Sequence, residues 1–120
     1  MEIRKTKLGA DYPDTLTSMA NLASTYNNQG RWKEAESLGV QVMETRKRVL
    51  GEEHPDTLTS MANLAFTWYS QERSTNAISL MESCIQLRRK MLGPEHPDTS
   101  SSIETLDYWR AEQVIHLSLV

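Results

Sequence analysis

The segment Pro13-Asp14-Thr15-Leu16-Thr17-Ser18-Met19-Ala20-Asn21-Leu22-Ala23 returns letter for letter at Pro55 to Ala65, 42 residues further on, and its opening Pro-Asp-Thr returns again at Pro97-Asp98-Thr99. A step of this length belongs to stacked helical hairpins, each too small to bury its own apolar face and each completed by its neighbours. Function is therefore expected on a surface built by several repeats, not at a single-residue active site. The register runs beyond the block: Leu8-Gly9, Leu50-Gly51 and Leu92-Gly93 share one phase, and Met1-Glu2-Ile3-Arg4-Lys5 aligns with Met43-Glu44-Thr45-Arg46-Lys47. One array spanning 1–120 is predicted, with the end of a truncated helix at 1–7, repeats at 8–49 and 50–91, and a terminating helix and tail at 92–120. Because the register opens partway through a repeat, excision from a longer array is expected.

A chain of 120 residues with net charge −3 and little Gly or Pro makes one domain, too small for two independent cores. Mild acidity argues against nucleic acid as a partner. The basic residues cluster at Arg46-Lys47-Arg48 and Arg88-Arg89-Lys90, each at the end of a helical pattern, where cations meet the negative end of the helix dipole. An anion-binding or acidic-peptide-binding role is the alternative for them. No apolar run reaches the roughly 18 residues of a membrane helix, and charged residues follow Met1 where a signal peptide would have its apolar core. A cytoplasmic protein without a membrane partner is expected. Cys84 is the only cysteine, so no intramolecular disulfide can form and any metal site would need histidines and carboxylates alone. No cofactor is expected.

Pro13, Pro55 and Pro97 each open a helical pattern, a first-turn position where the missing N–H leaves nothing unsatisfied. Leu58, Met61, Leu64, Ala65 and Trp68 form an apolar stripe at steps of three and four, matched by Leu16, Met19, Leu22, Ala23 and Tyr26. Asn28-Gln29-Gly30-Arg31 breaks the first helix, with Gly30 suited to a left-handed closing residue. A second helix follows from about Trp32 to Val49, with Ala35, Leu38, Val42, Met43 and Val49 inward. In the next repeat Glu72 replaces Gly30 and Ser74 replaces Trp32, which predicts a looser turn closed differently, with Ser74 or Thr75 as cap. There Ala77, Leu80, Met81, Cys84, Ile85 and Met91 carry the inward stripe, and Cys84, in phase with Val42, reads as a small buried hydrophobe. The third unit keeps a helix from Pro97 to about Trp109 and then loses the pattern. Its outer face is expected to be polar, through Glu104, Asp107 and Arg110, and the apolar tail Val114 to Val120 to pack back on the array or on a neighbouring chain.

The pattern Leu22-Ala23, Tyr26, Gly30 and Ala35 resembles the tetratricopeptide repeat. The longer step and the linker from Leu50 to Thr57, with its His54-Pro55-Asp56-Thr57, resemble the kinesin-light-chain type, arrays of which also occur as sensor regions of fungal Nod-like-receptor-type ATPases. The resemblance covers Met1 to Trp109. It implies an all-α fold, a right-handed solenoid of antiparallel helical hairpins whose first helices line a concave groove, with Ala23, Ala35, Ala65 and Ala77 allowing close approach within each hairpin. It also implies that an Asn of the first helix bonds the backbone of an extended peptide, a position matched by Asn21 and Asn63. A side-chain amide suits that task because it offers both donor and acceptor. The alternative is that both residues bond only a neighbouring helix.

Helical phase puts Thr17, Ala20, Ser24, Asn27 and Asn28 beside Asn21, and Thr59, Ala62, Phe66, Tyr69 and Ser70 beside Asn63. These positions hold no Lys or Arg, so the basic clamp that some tetratricopeptide domains use for a C-terminal carboxylate is not reproduced. Phe66 and Tyr69 supply an apolar anchor instead, worth about 2 kcal/mol when such a residue is a buried hot spot. The candidate peptide-binding set is Asn21, Ser24, Asn28, Asn63, Phe66, Tyr69 and Ser70. His54 and His96 occupy equivalent linker positions without a Ser, Cys or second His at a catalytic spacing, and no Gly-rich phosphate loop occurs. The sequence therefore predicts no enzyme, but a scaffold for a protein or peptide partner. Self-association is the alternative, since two full hairpins fall short of the roughly three repeats a stable array needs.

Overall fold

A computed structural model describes residues 13–119, and the expectations for residues 1–7 and Val120 lie outside the described residues. Five helices follow one another: α1 (Pro13–Asn28), α2 (Trp32–Leu50), α3 (Pro55–Ser70), α4 (Ser74–Leu92) and α5 (Pro97–Leu119). Each packs on the next in the chain, and α1 also touches α3, so α1, α3 and α5 form one layer and α2 and α4 the other. The fold is an all-α solenoid of antiparallel hairpins.

The prolines open α1, α3 and α5, and the residue before two of them does more than link. His54 Nδ1 accepts from the Asp56 amide at 3.0 Å, and His96 Nδ1 from the Asp98 amide at 3.1 Å. The two linker histidines are thus N-caps, satisfying a backbone donor that the helix leaves free. Upstream, Gly51 and Gly93 turn the chain out of α2 and α4 at φ 104° and 95°.

The turns between helices of a hairpin correct one expectation. Glu72 takes φ 63° where Gly30 takes 77°, and the same bond closes both turns, Arg31 N to Tyr26 O at 2.8 Å and Arg73 N to Trp68 O at 2.9 Å. The second turn is not looser, and α4 starts after Arg73 with no side-chain cap from Ser74 or Thr75. Glu72 accepts a conformation that costs an L-residue about 1–2 kcal/mol. Neighbours compensate: Arg73 lies over the Trp68 ring at 4.9 Å, as Arg31 lies over Tyr26 at 4.4 Å.

The core joins α3, α4 and α5 through Leu58, Ala65, Ala77, Met81, Cys84, Leu106 and Trp109, while Leu16, Ala35 and Val42 fill the α1–α2 hairpin. Cys84 is fully buried, and burial pushes its thiol above the ordinary value. Ala65 and Ala77 have no exposure at all, as close helix approach requires. Val49 and Met91, expected inward, are exposed. The buried stripe of α2 instead steps by four through Val42 and Arg46 toward half-buried Leu50, which turns Val49 out.

Arg46 and Arg88 are the larger correction, for each is only 7 % exposed. Arg46 Nη1 donates to Ser60 Oγ at 2.8 Å and to the Asp56 carbonyl at 3.2 Å; Arg88 Nη1 donates to Ser102 Oγ and to the Asp98 carbonyl at 3.3 Å. A buried guanidinium is tolerable when its donors are used, and here they fasten each second helix to the first helix of the next repeat. Only Lys47, Arg48, Arg89 and Lys90 stand in the last turns, where the dipole argument applies.

The expected break after Trp109 is absent. No Gly or Pro interrupts residues 110–119, and α5 runs through them to Leu119. Val114 and Ile115 do not pack back; they are 63 % and 59 % exposed. No helix among the described residues is long and apolar enough to cross a membrane.

Candidate functional site

Between α1 and α3, backed by α2, lies a cleft of about 280 Å³. Its floor is Ala23, Ala35, Gly39 and Leu64, and its walls are Ser24, Asn27, Asn28, Asn63, Phe66 and Thr67. Small side chains make the space: three of the four floor residues carry no more than a methyl group. None of the ten lining residues is charged, so the cleft offers neutral hydrogen-bonding groups above an apolar floor.

Four of the seven residues expected from the sequence meet here, namely Ser24, Asn28, Asn63 and Phe66. Asn21 is exposed on α1 outside the cleft lining. The side-chain amides of Asn21 and Asn63 make no hydrogen bond among the described residues; only their carbonyls are engaged, by Thr25 and Thr67 hydroxyls at 3.0 and 3.2 Å. The reading in which these amides bond a neighbouring helix therefore finds no support. Ser70 lies apart, in a shallow recess beside Arg31, Trp32 and Glu72.

Tyr69 is already occupied. Its ring stacks on Trp109 with centroids 4.4 Å apart and planes 8° from parallel, and its hydroxyl donates to the Glu112 carboxylate. Burial, and then the bond to Glu112, push the Tyr69 phenol above its ordinary value of 10.0. Phe66 meets the same indole edge-on at 5.3 Å yet stays 43 % exposed, keeping one face toward the cleft.

Two features have no counterpart in the sequence reading. Asn27 Oδ1 is buried without a hydrogen-bond partner, an unused acceptor in the cleft wall. The other is Trp109, 3 % exposed, which fills the place between α3 and α5 that corresponds to the cleft between α1 and α3. The residue 42 positions before Trp109 is Thr67. An indole in one seam and a threonine in the other explain why one is closed and the other open; the signal is present in the register, hidden because Trp109 reads as the end of a helix.

Behind the cleft, Glu36 ties α2 to the end of α3. It accepts from Trp68 Nε1 at 2.8 Å, Arg73 Nη1 at 2.7 Å and Gln71 Nε2 at 3.3 Å. Burial alone would raise its carboxyl; the three hydrogen bonds outweigh it and hold the group below 4.5. No group of His, Cys, Asp and Glu among the described residues is placed to hold a metal ion.

Duplicated hairpins joined by a shared linker define an all-α helical-repeat protein. The tetratricopeptide repeat profile matches residues 15–56 and again 57–98, more than half of the sequence, and the chain belongs to that family. Among solved structures it is similar to a Podosopora anserina putative kinesin light chain with nearly identical TPR-like repeats, at 27 % identity and a TM-score of 0.75, over 98 % of this chain and 56 % of that one. A form of that protein with one glutamine replaced by methionine aligns at 27 % identity with a TM-score of 0.77, over 98 % of this chain and 55 % of that one. The chain thus spans little more than half the length of these relatives. No curated protein matches it. Repeats of this family generally mediate protein–protein interaction and are typically non-catalytic scaffolds.

Proposed function

We propose that this chain is a non-catalytic scaffold that holds an extended segment of a partner protein along its concave groove, with an apolar side chain of that segment seated in the α1–α3 cleft. The observation that carries the reading is the cleft itself: an apolar floor, an unused acceptor at Asn27, a free amide at Asn63, and an exposed Phe66 rim, with a second free amide at Asn21 outside it on α1. Backbone bonding by the amides gives affinity that is independent of the partner's sequence, and the floor supplies selectivity for an apolar side chain. Without Lys or Arg in its lining, the cleft gives a nucleic-acid phosphate nothing to pair with.

A peptide-display selection on the intact chain, repeated with Asn63→Ala and Phe66→Ala, tests this. The expected result is a shared motif with one apolar anchor, lost in both variants while their circular dichroism stays unchanged. Enrichment of nothing, or of a motif both variants retain, overturns the reading. A second reading, self-association, is favoured by Tyr108, Val114 and Ile115, which leave an apolar stretch of α5 exposed. Sedimentation over a wide dilution series separates the two, since a chain that stays monomeric throughout removes the second.

A further inference from the structure

The duplicated register separates what stacks the repeats from what does not. The open seam between α1 and α3 and the closed seam between α3 and α5 are built from positions 42 residues apart, and their walls differ in one kind of residue. The open cleft carries three side-chain amides, Asn27, Asn28 and Asn63, where the closed seam has Tyr69, Ser70 and Thr105. Two first helices thus pack side by side without these amides, so stacking is not what requires them.

Nor are they used inside the molecule. The side chains of Ser24, Asn28 and Asn63 make no hydrogen bond among the described residues, and Asn27 Oδ1 is buried without a partner. Only Thr67 is engaged, its hydroxyl donating to the Asn63 carbonyl at 3.2 Å. The small-residue floor alone suits an aliphatic side chain. A wall with this many unused donors and acceptors suits an occupant that brings several of its own.

The remaining features narrow the class. None of the lining residues is charged, so the cleft holds no counter-ion for a phosphate, a carboxylate or an ammonium group. Phe66, 43 % exposed, turns a ring face to the cleft. A pyranose ring meets both conditions and the wall as well. It is neutral, the hydroxyls around its edge each donate and accept as an amide does, and its C–H faces lie favourably on the negative face of an aromatic ring.

We propose that the α1–α3 cleft is a binding site for a neutral hexopyranose, with a C–H face of the sugar on Phe66 and its hydroxyls shared between Asn63 on one wall and Asn27 and Asn28 on the other. Asn27 takes part by rotating about its terminal side-chain bond, a torsion with broad minima. The inference does not rest on the peptide-binding reading, since it draws on the wall of the cleft and not on the groove beyond it.

The test titrates D-glucose, D-galactose, D-mannose and N-acetyl-D-glucosamine against the whole protein and follows them by saturation-transfer NMR. At least one is expected to give saturable transfer, strongest at its ring C–H protons. That binding should weaken at least about fivefold on Asn63→Leu and on Phe66→Ala, and vanish on Thr67→Trp, with circular dichroism unchanged. Asn63 is exposed, so Asn63→Leu decides the matter should Thr67→Trp disturb the packing. D-glucuronic acid is expected to bind more weakly than the neutral sugar. Absence of saturable transfer from all four sugars, transfer indifferent to Asn63→Leu, or preference for the uronic acid overturns the proposal. So does adenosine saturating the cleft in their place, which would make the amides readers of a base edge. Linear display peptides carry no sugar, so failure here and failure of the peptide reading are separate results.

Discussion

Replacing Arg46 offers the sharpest check on how the repeats are held together. Its guanidinium is buried, but both acceptors are neutral, a hydroxyl and a carbonyl, and these two already bond each other, Ser60 Oγ to Asp56 O at 3.1 Å. Arg46→Ala therefore strands no acceptor. It removes hydrogen bonds from a charged donor, about 1.5–3 kcal/mol in net worth, together with the packing of the aliphatic stem. About 3 kcal/mol of destabilisation is expected from the two together. Arg46→Met keeps most of the stem and avoids burying a charge, so it should cost about 1 kcal/mol or less, in line with apolar replacements of buried ionic groups. The assay is urea denaturation followed by circular dichroism, at low salt and again in 1 M salt, a concentration at which the screening length falls to about 3 Å. Because the acceptors are uncharged, the cost of Arg46→Ala should not fade with salt. The exposed pair Lys90–Glu53, at 2.7 Å, is the contrast: Lys90→Ala should cost at most about 1 kcal/mol and lose that cost in salt. Arg46→Ala costing under about 1 kcal/mol, or Met proving as damaging as Ala, would refute the account of the guanidinium as the fastening group.

Three further outcomes follow from single observations. Gly30→Ala should destabilise by about 1 kcal/mol although nothing lies within 4 Å of the new Cβ, because the cost is the positive φ alone, and Glu72→Gly should stabilise by about 0.5–1 kcal/mol; chemical denaturation reads both, and a neutral Glu72→Gly would contradict the strain. Glu36, whose folded carboxyl titrates below 4.5, contributes stability above that value and loses it as pH falls through the folded pKa, so the gap in melting temperature between wild type and Glu36→Gln should close on acidification below pH 4.5; a gap unchanged between neutral and acid pH would show that the charge is not what matters. Thr67→Trp should close the cleft as Trp109 closes the next seam and weaken display-selected peptides by about 2 kcal/mol, some thirtyfold, with the helix content retained; undiminished binding would move the site elsewhere.

The elements are legible because Pro13, Pro55 and Pro97 and the Leu-Gly pairs mark starts and stops whose physics is local. What escapes a sequence reading is set partly by the geometry of caps and turns and partly by tertiary contact. A first-turn proline says where α3 begins, but nothing local says that the histidine before it turns its own Nδ1 onto the Asp56 amide. A cation near a helix end suits the dipole whether it is exposed, as Arg48 is, or buried, as Arg46 is; only the facing Ser60, fourteen residues away, decides between them. Glu72 argues for a different turn on propensity alone, but the closing bond from Arg73 to Trp68 imposes the same conformation. For the site, helical phase places Ser24, Asn28, Asn63 and Phe66 on one surface. It cannot tell that Tyr69, on the same surface, is covered by an indole from the next first helix, since no local signal gives the route of α5 past Trp109.

The repeats divide their work along each first helix. The letters shared by α1 and α3 end at Ala23 and Ala65, and within them lie Asp56 and Ser60, which receive the arginine of the preceding helix, as Asp98 and Ser102 do on α5. Beyond that point the copies diverge: Ser24, Phe66 and Tyr108 share one register, Asn27, Tyr69 and Ala111 another, Thr25, Thr67 and Trp109 a third. These later turns supply the walls of the open cleft and the aromatic plug of the closed one. The first half of the helix must match a fixed ligand, the helix behind it, and tolerates little change because a buried guanidinium left without its acceptors is costly. The second half carries the Trp68 bond to Glu36 and otherwise meets the seam, which can be filled from within by an indole or left for a partner, so substitutions at its exposed cleft positions alter what the groove accepts without disturbing how the repeats stack. Ser24→Phe with Asn28→Ser, the α3 residues of the same register at two exposed cleft positions, should therefore leave the denaturation midpoint nearly unchanged while changing the selected peptide motif, and a collapse of stability on that change would show that the two halves are not separable.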